Sequence, residues 1–169
     1  MFSFFKKKPP ITVRVKEAEA LRYVAGLQTL TSKSTFKKEI SALQGAFYEK
    51  RDRLLQRSAP SGTMVISYKP DEKGRFSYFV GDLVDTDQQE SCFTVVTLEP
   101  GDYAYITVDF KVQNDLVLSV AKAKLHFFEK WLPNSGYELR DDIESIELYD
   151  RRSKIKLPSI ELIFPLRKK

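Results

Sequence analysis

A chain of 169 residues with 42% apolar and 12% aromatic content suits one globular domain burying about two-thirds of its unfolded surface. One cysteine excludes an internal disulfide framework and suits a reducing compartment, so the expected location is cytoplasmic. No apolar run approaches the roughly 18–20 residues of a membrane span, and the N-terminal FSFF is too short for a signal-peptide core. The net charge of +5 belongs to the ends: Lys6, Lys7, Lys8, Arg167, Lys168 and Lys169 hold six of the 28 bases, leaving 22 against 23 acids in the body. A nucleic-acid binder carries its excess on a folded face, so no direct nucleic-acid binding is expected. Phe2, Phe4, Phe5 and the lysines beside them suit at most weak association with an anionic surface.

Residues 1–10 read as a tail closed by Pro9-Pro10. ITVRV alternates from Ile11, and LRYVAGLQT resumes after KEAEA, which predicts two strands, or one bent strand, with a break near residues 17–20. Ser34 or Thr35 caps a helix to about Arg57 whose Phe36, Ile40, Leu43 and Phe47 fall at i, i+4, i+7 and i+11. Pro60-Ser61-Gly62 breaks the chain, and strands over 64–69 and 75–80 follow, joined by the turn formers of 70–74. The polar, acidic stretch 82–90 reads as a linker. Cys92 opens a strand to Leu98, and the turn at 99–102 leads into 103–110, a hairpin by its turn residues. Asn114 or Asp115 caps a second helix that Pro133 and Gly136 end near Trp131. A strand over 143–149, a charged loop over 151–156 and a last strand over 160–164 complete the chain.

Strand-strand-helix-strand-strand therefore occurs twice, as repeats of about 11–84 and 91–166. An offset of 80 carries Tyr23 to Tyr103, and the first helix stripe to Leu116, Val120, Ala123 and Phe127. One residue out of register, Ile66 maps to Glu147 and Tyr68 to Tyr149. The expected fold is α+β, with duplicated βαββ units related by a pseudo-two-fold. Both helices lie on one side of an antiparallel sheet, and a central cleft lies between the halves.

Strand parity selects the candidate site residues. Ile146 and Leu148 point one way while Glu147 and Tyr149 point the other. Tyr105 and Tyr68 share the second face by the same reasoning, and this many tyrosines on one face implies partial burial. Tyr78 has apolar neighbours of its own parity, Phe76 and Val80. Trp131 continues the helix stripe with its edge toward the cleft, and Tyr137 follows the turn as a lid. An ionised carboxylate in an apolar cleft suits a cationic guest also held by aromatic faces; the same desolvation suits a general acid or base. His126 and Cys92 lack an orienting third group, and no His/Cys/Asp spacing suggests a metal. No cofactor is expected.

LEPGDYAYITVDF, FFEKWLPNSGYEL, IESIELYD and the final IELIFPL resemble the GyrI-like effector-binding domains. These are the ligand domains of AraC-type and MerR-type multidrug regulators, together with stand-alone gyrase-inhibitory proteins. YVAGLQT and RFSYFVGDLV extend the resemblance over about residues 13–166. It implies that Glu147 sits in a cleft among aromatic residues and engages bulky lipophilic cations. In some stand-alone relatives this acid instead hydrolyses reactive cyclopropane-bearing compounds. With the resemblance starting at about residue 13, no helix-turn-helix domain is expected before it. The expectation is a small-molecule binding protein, with Glu147-dependent hydrolysis or a protein partner of the gyrase-inhibitor kind as alternatives.

Overall fold

The computed structural model describes residues 9–140 and 142–169; Phe2, Phe4, Phe5, Lys6, Lys7 and Lys8 of the tail, and Asp141, lie outside the described residues. In chain order the elements are β1 (Arg14–Ala18), β2 (Arg22–Ser32), α1 (Phe36–Lys50), β3 (Thr63–Tyr68), β4 (Arg75–Val84), β5 (Thr94–Leu98) and β6 (Gly101–Asp109). Then come α2 (Gln113–His126), β7 (Tyr137–Leu139), β8 (Ile143–Tyr149) and β9 (Ser159–Lys168). In α1 the stripe buries Ile40, Leu43 and Phe47, while Phe36 stays near the surface against Phe76 and Tyr78. The matching stripe of α2 buries Leu116, Val120 and Ala123, and Phe127 continues it into a π-helical turn that ends at Trp131. Pro133 then follows in a short 3-10 turn, because a proline can neither donate to a continuing helix nor fit beside its previous turn.

All pairings are antiparallel, in the order β1-β6-β9-β8-β3-β4-β2-β5, with the short β7 added on β9. Read from either end, this order runs through equivalent strands of the two halves, as a duplicated unit requires. The centre is the β3–β8 pair, where Ile66 faces Ile146. A two-fold through that pair relates residues 80 apart, so the counterpart of Glu147 is Ser67, not Ile66. The one-residue slip expected from the sequence is thereby corrected. Ile66 and Ile146 share one face, whereas Ile66 and Glu147 lie on opposite faces, as side-chain alternation demands.

The hairpin expected across residues 92–110 does not form. β5 pairs with β2 and β6 pairs with β1 and β9, so each half gives its first strand to the other half's edge. Only Glu99 and Pro100 separate β5 from β6, although the two stand near opposite ends of the strand order. The sheet must therefore curl until its edges approach. Ala18 at the end of β1 and Leu98 at the end of β5 accordingly line one small cavity. Gly26 opposite Gly81 permits part of the curl: a Cβ on Gly26 would lie 1.9 Å from the Val80 carbonyl oxygen.

Curling buries both faces of the sheet. On the helix side, α1 covers a core with Val65, Val80 and Val84, and α2 covers one with Ala104, Ile106, Leu162 and Phe164. The helix-free face encloses Val24, Met64, Ile66, Phe79, Ile146 and Ile163. Among the described residues no helix is long and apolar enough to cross a membrane.

The stretch after Val80 is not linker as far as Val84. β4 continues through it, and Asp82 is buried at 2% exposure. The Arg51 side chain donates to both of its carboxylate oxygens at 2.5 and 3.1 Å, the Thr63 hydroxyl donates at 2.6 Å, and Arg57 lies at 3.4 Å. A buried carboxylate survives on such partners, and no alternation pattern announces them.

Candidate ligand cleft

Glu147 and Tyr149 point to the helix side of β8, into the interval between the two helix-covered cores. Tyr149 packs against both. Its hydroxyl donates to Glu147 Oε2 at 2.7 Å, the expected reach for two residues on one strand face. Across the sheet Glu147 faces Val65 on one side and Leu162 on the other. Its carboxylate has no ion-pair partner among the described residues.

The Tyr149 phenol is pushed far above its ordinary range, first by burial and then by the negative charge and hydrogen bond of Glu147. Tyr78 is raised for the first two reasons, burial and then Glu147's charge. Both therefore stay neutral at ordinary pH, as hydrogen-bond donors with apolar ring faces. A cavity of about 460 Å³ opens on this side, within the range of small-molecule sites. Val65, Tyr78, Val80 and Tyr149 form its sheet wall, Gln44, Tyr48 and Arg51 its α1 side, and Gln113 with Asp150, Arg151 and Lys154 the opposite side. Glu147 does not itself bound the cavity; Val65 and Tyr149, its immediate neighbours, do.

The sequence-predicted residues divide. Glu147, Tyr149 and Tyr78 come together. Tyr68 and Tyr105 lie on the opposite, helix-free face, packed with Met64, Ile66 and Ile146. The correction is physical: in a curled sheet both faces are buried, so half-buried tyrosines occur on each and do not identify a common cleft. Trp131 stacks on Phe127 at 5.4 Å and on Tyr137 at 6.2 Å, continuing a stack that begins with Phe127 on Phe164 at 3.7 Å. Neither Trp131 nor Tyr137 bounds the cavity. Tyr137 belongs to β7, pairs with Lys168 of β9 and is thereby fixed in the sheet, so it is no lid.

Two contributors escaped the sequence reading. Tyr48 lies one position beyond the buried stripe of α1, on its flank, with Arg51 5.7 Å over its ring. Arg151 belongs to a short 3-10 turn that Asp150 caps by accepting the Arg152 backbone N–H. The capping aspartate before a basic run was the available signal for that turn. Nothing local marked it as a wall of the cavity.

A curled antiparallel sheet, two helices on one side and a cavity between them define an α+β binding domain. The chain belongs to the Cass2 family, integron-associated effector binding proteins, whose sequence profile matches residues 14–166. Three solved structures share the fold at low identity. SAV2435 bound to tetraphenylphosphonium is 14% identical over 92% of this chain and 94% of its own, with a TM-score of 0.71. The EcmrR C-terminal domain is 14% identical over 94% and 99%, at 0.62. The integron cassette protein VCH_CASS2, from the mobile metagenome of Vibrio cholerae, is 13% identical over 92% and 95%, at 0.57. No curated protein matches the sequence.

Proposed function

We propose that the chain binds a bulky aromatic small molecule in the cavity between the helices, with Glu147 as the charge partner for a cationic group. Tyr149, Tyr78 and Tyr48 supply the aromatic walls. The observation that carries this is Glu147 itself: a half-buried carboxylate with no ion-pair partner among the described residues, held by one tyrosine hydroxyl next to an open cavity. An acid so placed costs stability unless a guest compensates it, and aromatic faces stabilise the same cation. The tetraphenylphosphonium carried by the fold relative SAV2435 supports the choice of guest class.

Calorimetric titration with tetraphenylphosphonium tests the proposal. Glu147→Gln keeps shape and removes charge, and should weaken binding by about 1.5–3 kcal/mol, the scale of a charge-assisted contact. Tyr149→Ala should weaken it as well, through lost ring area. Equal affinity in wild type and Glu147→Gln, or no binding by wild type, would sink the reading.

A further inference from the structure

The charges around the cavity do not match a guest that is only cationic. Arg151 and Lys154 both bound it, both are exposed, and neither has an acid within ion-pair distance among the described residues. The nearby Asp150 offsets Arg151 only in part, because its hydrogen bonds go to Arg152. It accepts from Arg152 through both oxygens, at 2.8 to 3.1 Å, and Arg152 in turn bridges to Glu161. Arg51, on the opposite wall, shares the single carboxylate of Asp82 with Arg57; Asp52, the other acid near Arg57, is 3.9 Å away and fully exposed. Unpaired positive charge thus stands on the Arg151 and Lys154 side, with Arg51 held by Asp82 on the other, while Glu147, without an ion-pair partner among the described residues, lies behind Tyr149.

Basic side chains on one side of the cavity and a carboxylate just behind its Tyr149 wall fit a guest with opposite charges at its two ends. We infer that the preferred ligand is a zwitterionic aromatic. Its cationic end lies toward Glu147 and Tyr149, and an anionic group, a carboxylate or its equivalent, lies toward Arg151 and Lys154. The inference rests on the reading of the cavity given above and adds a second requirement to it. The tyrosine walls hold the ring system between the charges. Gln44 and Gln113 add neutral hydrogen-bonding groups from the two helices. Because Arg151 and Lys154 are exposed, their contribution is modest, falls with ionic strength and sets selectivity more than affinity.

The test uses two dyes that differ in one group. Rhodamine B carries a cationic ring system and a free carboxylate; its ethyl ester keeps the cation and loses the acid. Binding to the full chain is followed by fluorescence anisotropy at low and high salt. Wild type should favour the acid over the ester by about three- to tenfold at low salt, the scale of two exposed ion pairs, and salt should narrow the difference. The double variant Arg151→Ala, Lys154→Ala, with both changes exposed, should weaken the acid and tighten the ester, because it removes an attraction for one and a repulsion for the other. Glu147→Gln should weaken both dyes. If both dyes bind wild type equally, or the double variant shifts them together, the zwitterion inference is overturned while the cation site stands. If Glu147→Gln leaves both unchanged, the reading of the cavity falls and this inference with it.

Discussion

Asp82 offers the sharpest stability test, because it anchors a cavity wall from inside the fold. Asp82→Asn preserves volume but removes the charge that draws the Arg51 side chain at 2.5 and 3.1 Å and the Thr63 hydroxyl at 2.6 Å. Breaking a fully buried ion pair by altering one partner costs about 3–5 kcal/mol. Here the carboxylate is 2% exposed, but the Arg51 and Arg57 side chains are 23% and 36% exposed and can recover water. Screening brings the expected loss to about 2–3 kcal/mol. At roughly 2–4 °C per kcal/mol for a chain of this size, the melting temperature should fall by about 4–12 °C. Thermal unfolding followed by circular dichroism measures it. The paired variant Asp82→Leu, Arg51→Met should recover part of the loss, because the Asp82–Arg51 charge pair is removed together, while the half-buried Thr63 hydroxyl and Arg57 still lose Asp82. A fall of less than about 1 °C for Asp82→Asn would refute the claim that this carboxylate is desolvated and held mainly by its charge.

Other outcomes follow from the same geometry. Phe127→Ala removes the centre of the Phe164–Phe127–Trp131–Tyr137 stack and should cost about 3–5 kcal/mol in denaturant unfolding. Tyr149→Phe loses the donor to Glu147 and should cost about 0.5–1.5 kcal/mol, read in the same assay. Tyr105→Phe, on the helix-free face, should leave tetraphenylphosphonium affinity unchanged, which the same calorimetric titration checks. Tyr149 and Tyr78 are raised in the folded state above the ordinary phenol value of about 10, so their contribution to stability is complete below that pH. It declines as pH rises further, because unfolded tyrosine ionises while the folded residues keep their protons. Tyrosinate absorbance should therefore show Tyr149 and Tyr78 titrating only as the chain unfolds.

The helices were legible because each is covered on one side only, and a single apolar stripe records that. The strands were legible as elements but not as faces. Alternation correctly separated Glu147 and Tyr149 from Ile146 and Leu148, since it reports relative direction along one strand. It could not show that Tyr78 joins them while Tyr68 and Tyr105 do not, because that depends on pairing between strands distant in sequence. A register shift after Ser67, where Ser67 pairs with Ser145 but Tyr68 with Ile143, further obscures the comparison of halves. The strand exchange was hidden for a different reason. The turn formers at 99–102 suit a hairpin, yet Gly101 at a φ of +137° and the Arg140 guanidinium bound to the carbonyls of Glu99 and Pro100 lead the chain onto another edge. Glu147 was marked by strand parity and by resemblance, and the basic residues of the cavity only by three-dimensional placement.

Exchange of the first strands also governs how this chain can be assembled. β1 must find β6 across more than 80 residues, and β5 completes the edge of a half whose other strands were synthesised before it. Neither half holds a finished sheet edge by itself, so the two halves are dependent units. Cut between residues 85 and 90, the chain should yield fragments that are unfolded apart and structured when mixed. Closure over such distances makes folding slow relative to a helical protein of equal length. It also ties the cavity to the joining of the halves, since its two sides come from different halves that meet at the β3–β8 pair.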